Sequence, residues 1–456
     1  MKKSILEKIF SAPAEVLEKT VELEQEIKKD IEKQEPVREA KEYWKTLGPG
    51  LTTGAADDDP SGIATYSQMG ASHGFNLIWL SLFSFPLMGA IQEMCARIGL
   101  TTGVGLATNI KRHFSKKILY FCTILLLLAN VFNIGADLGA MAKGTQLIFP
   151  QMGFAFLVIG FAVLSLGLQI FIPYKRYSKY LKYLALVLFA YVFSAFSVSI
   201  NWRDVFNHLV VPTISFGRDE IILICAAFGT TISPYLFFWQ TSQEVEEQIL
   251  KGEKTEEIRR TSNTSEDIHK MRIDNWSGML FSNLIMFFII ATCAATLFGN
   301  GILNIETAAD AALALKPFAG DFAFVLFAIG ILGVGLLAIP ILAGSASYAI
   351  SETFNWKTGL YRKLKQAYSF YGVIIVAMVL GIILNFIGLD PIKTLIYSAV
   401  FNGIISPVIL FFIVKISGNE EIMGNFKNKK FTDILGWFTV GLLCIVSLGT
   451  IIFLFT

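Results

Sequence analysis

The sequence predicts an all-α membrane protein whose first and sixth spans are interrupted, the pattern of a five-plus-five inverted repeat. Three observations predict it. Of the 456 residues 54% are hydrophobic and only 16% charged, against about 25% charged in soluble domains. Apolar runs long enough to cross a bilayer, about twenty residues each, recur along the chain. Within the first run Asp57, Asp58 and Asp59 stand in a row, followed by Pro60, Ser61 and Gly62. An ionised carboxylate at mid-bilayer costs at least about 2.5–3.5 kcal/mol. A helix that breaks there and turns its carboxylates toward a polar cavity avoids most of that cost. The first expectation is therefore a cation site in a transporter.

Residues 1–45 come first and are charge-dense, with ten Lys/Arg against eleven Asp/Glu. Leu6, Phe10, Leu17, Val21, Ile27 and Ile31 have weak helical spacing, so a cytoplasmic amphipathic or partly disordered segment is expected. Its first ten residues are too charged for a signal peptide. The transporter domain follows over 46–456. Eleven candidate spans cover 48–71, 75–103, 118–143, 152–173, 181–200, 219–243, 274–299, 321–352, 368–389, 391–415 and 431–455. The first repeat takes about 48–200, the second about 219–415, and the last helix, about 431–455, is an addition.

Loop charge supports this count. Alternate loops, KRHFSKK (111–117), YKRYSKYLK (174–182), 245–272, 354–366 and 415–430, hold 22 Lys/Arg. The opposing loops hold Arg203, Arg218 and Lys316. Basic loops stay in the cytoplasm, which places the N-terminus inside. Trp44 and Trp202 read as interfacial anchors.

The sixth span is the second broken one. Gly229, Thr230, Thr231, Ser233 and Pro234 fall at its middle. Breaks five spans apart point to a binding site at the midplane. Each proline removes a donor and frees upstream carbonyls. Freed carbonyls beside carboxylates form an all-oxygen cage suited to a hard cation. For the sixth span a simple proline kink accounts for the residues equally well.

The five cysteines lie in apolar runs without CxxC spacing and read as small buried hydrophobes. The four histidines are expected in loops. No nucleophile–base pair, phosphate loop or zinc motif is present, which argues against an enzyme. No basic, aromatic-interleaved patch points to nucleic acid.

The motifs resemble those of the NRAMP divalent-metal transporters. DPSG (59–62) is similar to that family's Asp-Pro-Gly-Asn. QEMCARIGLTTG (92–103) is very close to its Gln-x-x-x-Ala-Arg-Leu-Gly-x-x-Thr-Gly, and GTTISPY (229–235) sits where the family has Gly-Ala-x-x-Met-Pro-His. The resemblance covers about 46–455 and implies a LeuT-type fold with an eleventh helix, in a bacterial inner membrane.

It also implies a ligand set. Asp59 matches the family's metal-binding aspartate. The binding asparagine becomes Gly62, the soft methionine becomes Ser233, and the carbonyl donor becomes Thr230. The two histidines become Tyr235 and Gln240. The glutamine of span ten aligns with Ala399, with Asn402 about one turn away, and Asp137 aligns with an acidic residue of the proton route. Glu93 has no acidic counterpart in the motif.

A thioether favours later transition metals and offers little to Mg²⁺. Mg²⁺ keeps several waters and is held through one or two carboxylates. The expected metal-site residues are Asp59, Asp58, Asp57, Gly62, Thr230 and Ser233. Ordinary small-residue packing is the bland alternative for Thr230 and Ser233. Glu93, Asp137, Tyr235, Gln240 and Asn402 are expected beside the site or along the ion pathway. Glu93 faces either the cavity or Arg97, one turn on; Asp137 pairs with Lys143 or serves a polar route.

This pattern resembles the NRAMP-related magnesium transporters. The expectation is a Mg²⁺ importer that also passes Mn²⁺, without the family's proton coupling because both histidines are lost. A proton-coupled Mn²⁺/Fe²⁺ transporter is the alternative. A Na⁺-coupled symporter of organic anions is disfavoured by the aspartates, which would repel the substrate. The expected partners are divalent ions and the lipid bilayer, around a monomeric transport unit with no cofactor.

Overall fold

Helix follows helix along the described residues, and proline, glycine or a polar cap bounds several of them. The computed structural model describes residue 43, residues 47–172 and residues 185–456. Residues Pro49–Thr456 belong to one compact unit. Apart from Tyr43, the expected N-terminal segment (1–45) lies outside the described residues, and so does Trp44.

The principal helices are α1 (Pro49–Asp57), α2 (Pro60–His73), α3 (Trp79–Thr102), α4 (Lys116–Ile148), α5 (Phe154–Phe171), α6 (Phe189–Ser197) and α7 (Arg218–Thr231). They continue as α8 (Pro234–Leu250), α9 (Ser265–Thr296), α10 (Ala323–Thr353), α11 (Tyr368–Leu384), α12 (Pro391–Ser417) and α13 (Lys430–Phe455). Among the described residues seven helical stretches are long and apolar enough to cross a membrane, the joined α7–α8 stretch among them. The described part of the fifth expected span is short, as is α11. The first expected span is the broken pair α1–α2, and α3 carries the second.

Both breaks share one local cause. A residue before proline avoids the helical region, and proline suits the first helical position, where no N–H is needed. Asp59 is extended (φ −63°, ψ 174°) before Pro60. Ser233 is extended (φ −82°, ψ 136°) before Pro234. The broken helices then pack through glycine. A Cβ on Gly54 would lie 2.1 Å from the Gly278 carbonyl oxygen on α9, and one on Gly229 would lie 1.9 Å from that of Ala399 on α12. Backbones meet this closely in membranes through small residues.

The outside is apolar. Phe156, Phe171, Phe196, Ile445 and Phe455 are among the large side chains left exposed, a belt that a bilayer solvates and water does not.

Some expectations need correction. The histidines are not confined to loops: His73 closes α2, His113 ends the short helix Leu106–His113, His208 lies in Trp202–Val210, and His269 lies in α9. Polar caps extend helices beyond their apolar runs, as Thr264 does with its capping box at the start of α9. Cys444 is exposed on α13, unlike the other four cysteines. A lipid-facing thiol is as well solvated as a buried one.

Candidate metal-ion site

The break in the first span turns its three carboxylates toward different helices. Asp57 is the last residue of α1, Asp58 lies in the turn, and Asp59 caps α2. At most 2% of each is exposed. Among the described residues no Lys, Arg or His forms an ion pair with any of them.

Asp59 is the most fully hydrogen-bonded of the three. Its Oδ1 accepts from the Ser61 hydroxyl at 2.6 Å and the Gly62 N–H at 2.8 Å. This is a helix N-cap, stabilised by the positive end of the α2 dipole. Its Oδ2 accepts from Asn133 Nδ2 at 2.8 Å. The same Asn133 amide donates to Asp137 Oδ2 at 3.2 Å, so its two N–H groups join two carboxylates. Asn133 Oδ1 in turn accepts from Asn402 Nδ2 at 3.3 Å. Asp137 Oδ1 and Asn402 Oδ1 are buried without a partner. One lone pair of Asp59 Oδ2 also remains open. Spans one, three and ten thus contribute oxygen to one buried cluster.

Asp57 and Asp58 turn elsewhere. The Ser282 hydroxyl on α9 lies 2.6 Å from Asp57 Oδ2 and 3.3 Å from Asp58 Oδ1. Their other oxygens, Asp57 Oδ1 and Asp58 Oδ2, have no partner. Helical spacing predicts that the three cannot share one direction, with one of Asp57 and Asp58 lining the cavity and the other contacting water or a backbone amide. Instead both turn toward Ser282, while Asp59 turns to Asn133. Among the described residues no three His, Cys, Asp or Glu side chains converge as a metal cluster.

The broken sixth span lies close by. Tyr66, one turn beyond Gly62, shares a 2.9 Å hydrogen bond with Thr230 Oγ1. Thr230 donates its single proton to the Ala227 carbonyl at 3.0 Å, so Tyr66 is the donor. The Ser233 hydroxyl points at the carbonyls of Gly229 and, at 2.8 Å, Thr230. Tyr235 donates to the Ala56 carbonyl at 2.8 Å, and Ser406 on α12 donates to the Ile232 carbonyl at 2.6 Å. The sequence predicts freed carbonyls lining a cage. Instead three protein hydroxyls point at these four, and with one proton each they satisfy at most three; an unpaired buried carbonyl costs about 1–3 kcal/mol.

Two expected residues do not join the aspartates. Glu93 accepts from Arg97 (3.2 Å), Arg272 (2.9 Å) and the Trp276 indole N–H (2.7 Å). It is an internal ion pair, the second of its two readings. Gln240 bonds one turn earlier on α1, accepting from Thr53 at 2.5 Å and donating to Glu244 at 2.9 Å. Lys143 sits over the Phe154 ring, 5.3 Å from its centroid, and Asp137 turns to Asn133.

Sequence reasoning missed Asn133, Ser282, Ser61, Tyr66 and Ser406. Asn133 had a signal, since it lies one helical turn before Asp137. Ser282 had none, being a small polar residue in a long apolar run.

Two interrupted helices crossing at a buried, oxygen-rich break define a multi-pass helical membrane protein of the LeuT-like class. A manganese transporter from Eremococcus coleocola, in complex with an aromatic bis-isothiourea compound, has this fold: TM-score 0.71 at 20% identity, covering 89% of this chain and 86% of that one. So does Mhp1, a nucleobase-cation-symport-1 family transporter, with TM-score 0.54 at 12% identity, covering 89% and 91%. By sequence, the divalent metal cation transporter MntH of Clostridium acetobutylicum is 24% identical, over 92% of this chain and 93% of its own length. That of Caldanaerobacter subterraneus subsp. tengcongensis is 25% identical, over 91% and 94%.

The natural resistance-associated macrophage protein-like (Nramp) profile matches residues 50–453, and the chain belongs to that family. It is a family of transporters, and this chain is not an enzyme.

Proposed function

We propose that this protein carries divalent metal cations across a bacterial inner membrane by alternating access, binding them at the α1–α2 break. One observation carries the reading: three buried carboxylates stand there without a cationic partner among the described residues. Such charge is retained in a membrane when an ion is to be bound. The relatives named as divalent metal cation transporters and as a manganese transporter support the same class of cargo. In this reading eleven spans form two inverted repeats, about 48–200 and 219–415, with the last helix appended and the N-terminus inside. Asp59, Asp137 and Asn402 supply oxygens, Gly62 fixes the Asp59 carboxylate, and Thr230 and Ser233 shape the facing wall.

Mn²⁺ is the cargo that the relatives favour. Mg²⁺ is the second reading, and the donor set accommodates it: every side chain in the two clusters offers oxygen, with neither thioether nor imidazole. Oxygen-only sites suit both ions.

Uptake into proteoliposomes separates these readings, with one divalent ion present, a clamped inside-negative potential and a pH dye within. Mn²⁺ entry with acidification and no Mg²⁺ entry gives the proton-coupled transporter. Mg²⁺ entry without proton movement gives the uncoupled one. Asp59→Asn should reduce either flux at least about tenfold. Transport undiminished in that variant would sink the site.

A further inference from the structure

The Asp59 cluster is not the part of the break most in need of a cation. Asp59 has three donors: Ser61, Gly62 and Asn133. Asp57 and Asp58 share one, the Ser282 hydroxyl, which carries a single proton. The shorter contact, 2.6 Å to Asp57, takes that proton. The 3.3 Å approach to Asp58 is then oxygen facing oxygen with no hydrogen between. Two more oxygens, Asp57 Oδ1 and Asp58 Oδ2, have no partner on side chains that are 0% exposed. Five oxygens and one proton in a water-excluded place leave a formal deficit of two positive charges.

We infer that Asp57, Asp58 and Ser282 form a second divalent-cation subsite, separate from the Asp59–Asn133–Asp137–Asn402 cluster, so that two ions occupy the break together. The inference rests on the proposed transport reading and divides its site in two. Two carboxylates match a divalent charge, and oxygen donors suit a hard ion such as Mg²⁺ or Mn²⁺. Helix geometry keeps the groups apart. Successive residues point about 100° apart on a helix, and the chain turns at Asp58 before α2 begins. Asp57 and Asp58 therefore address α9, while Asp59 addresses α4.

Mn²⁺ binding to the purified full chain tests this, with stoichiometry from equilibrium dialysis and ion–ion coupling from electron paramagnetic resonance. Two Mn²⁺ per chain are expected. Ser282→Ala, a small change unlike a lost carboxylate, should weaken one ion about 10–100-fold and leave the other. Asp58→Asn should do the same, and Asp59→Asn should remove the opposite ion. One Mn²⁺ per chain, lost in Asp59→Asn and indifferent to Ser282→Ala and Asp58→Asn, would overturn the subsite while leaving the transport reading intact. No Mn²⁺ bound and no uptake by the unaltered chain would defeat both.

Discussion

Asp59 performs two tasks with one side chain: Oδ1 caps α2 and Oδ2 faces the polar cluster. Its importance is plain in the sequence, because an aspartate before proline inside an apolar run is too costly to keep without a task. Its partners are hidden there. Ser282 is 225 residues from Asp57, and Asn133 is 74 from Asp59. Which polar residue faces inward on those helices depends on rotations set by packing. Tyr235 is legible only as a replaced histidine, yet it closes the Ala56 carbonyl. Tyr235→Phe removes only the hydroxyl and should cost about 1–3 kcal/mol of stability, read as a lower unfolding temperature in detergent. Unchanged stability would show that this carbonyl needs no protein donor.

At the scale of the helices, the prolines announce both breaks, and the extended residue before each follows from sterics. Less visible is how closely the broken helices approach their neighbours. Gly229 meets the Ala399 carbonyl and Gly403 meets that of Cys225, tying α7 to α12 from both sides. Gly229→Ala would force these helices apart and should destabilise the protein by about 1–3 kcal/mol. Gly441→Ala on α13, where a new Cβ meets nothing within 4 Å, is the control and should be neutral. Equal losses in the two variants would mean that the crossing is not a close one. The start of α1 has its own tie: Asp274 on α9 accepts from the Gly50 and Leu51 N–H groups at 2.7 and 3.1 Å. No motif marks that aspartate, because its partners are backbone groups more than two hundred residues away.

For the whole molecule, composition and loop charge are enough to establish a multi-pass membrane protein, since the bilayer constrains it more tightly than any single motif. Transport energetics belong to this scale. A divalent ion entering an inside-negative compartment gains about 4.6 kcal/mol per 100 mV, on the order of a thousandfold accumulation. Uptake should therefore rise steeply as the interior is made more negative, measured by setting the potential with potassium gradients; a flat response would show that charge is balanced by another ion. The hydroxyls at the two breaks have a kinetic consequence. Tyr235 holds the Ala56 carbonyl and Ser406 holds that of Ile232, so an ion can reach either oxygen only by ligand exchange. An ion that readily sheds water can make that exchange; a tightly hydrated one keeps its shell and touches carboxylates alone. Discrimination then lies in the height of a barrier as much as in the depth of a well, and two ions of equal affinity can cross at different speeds.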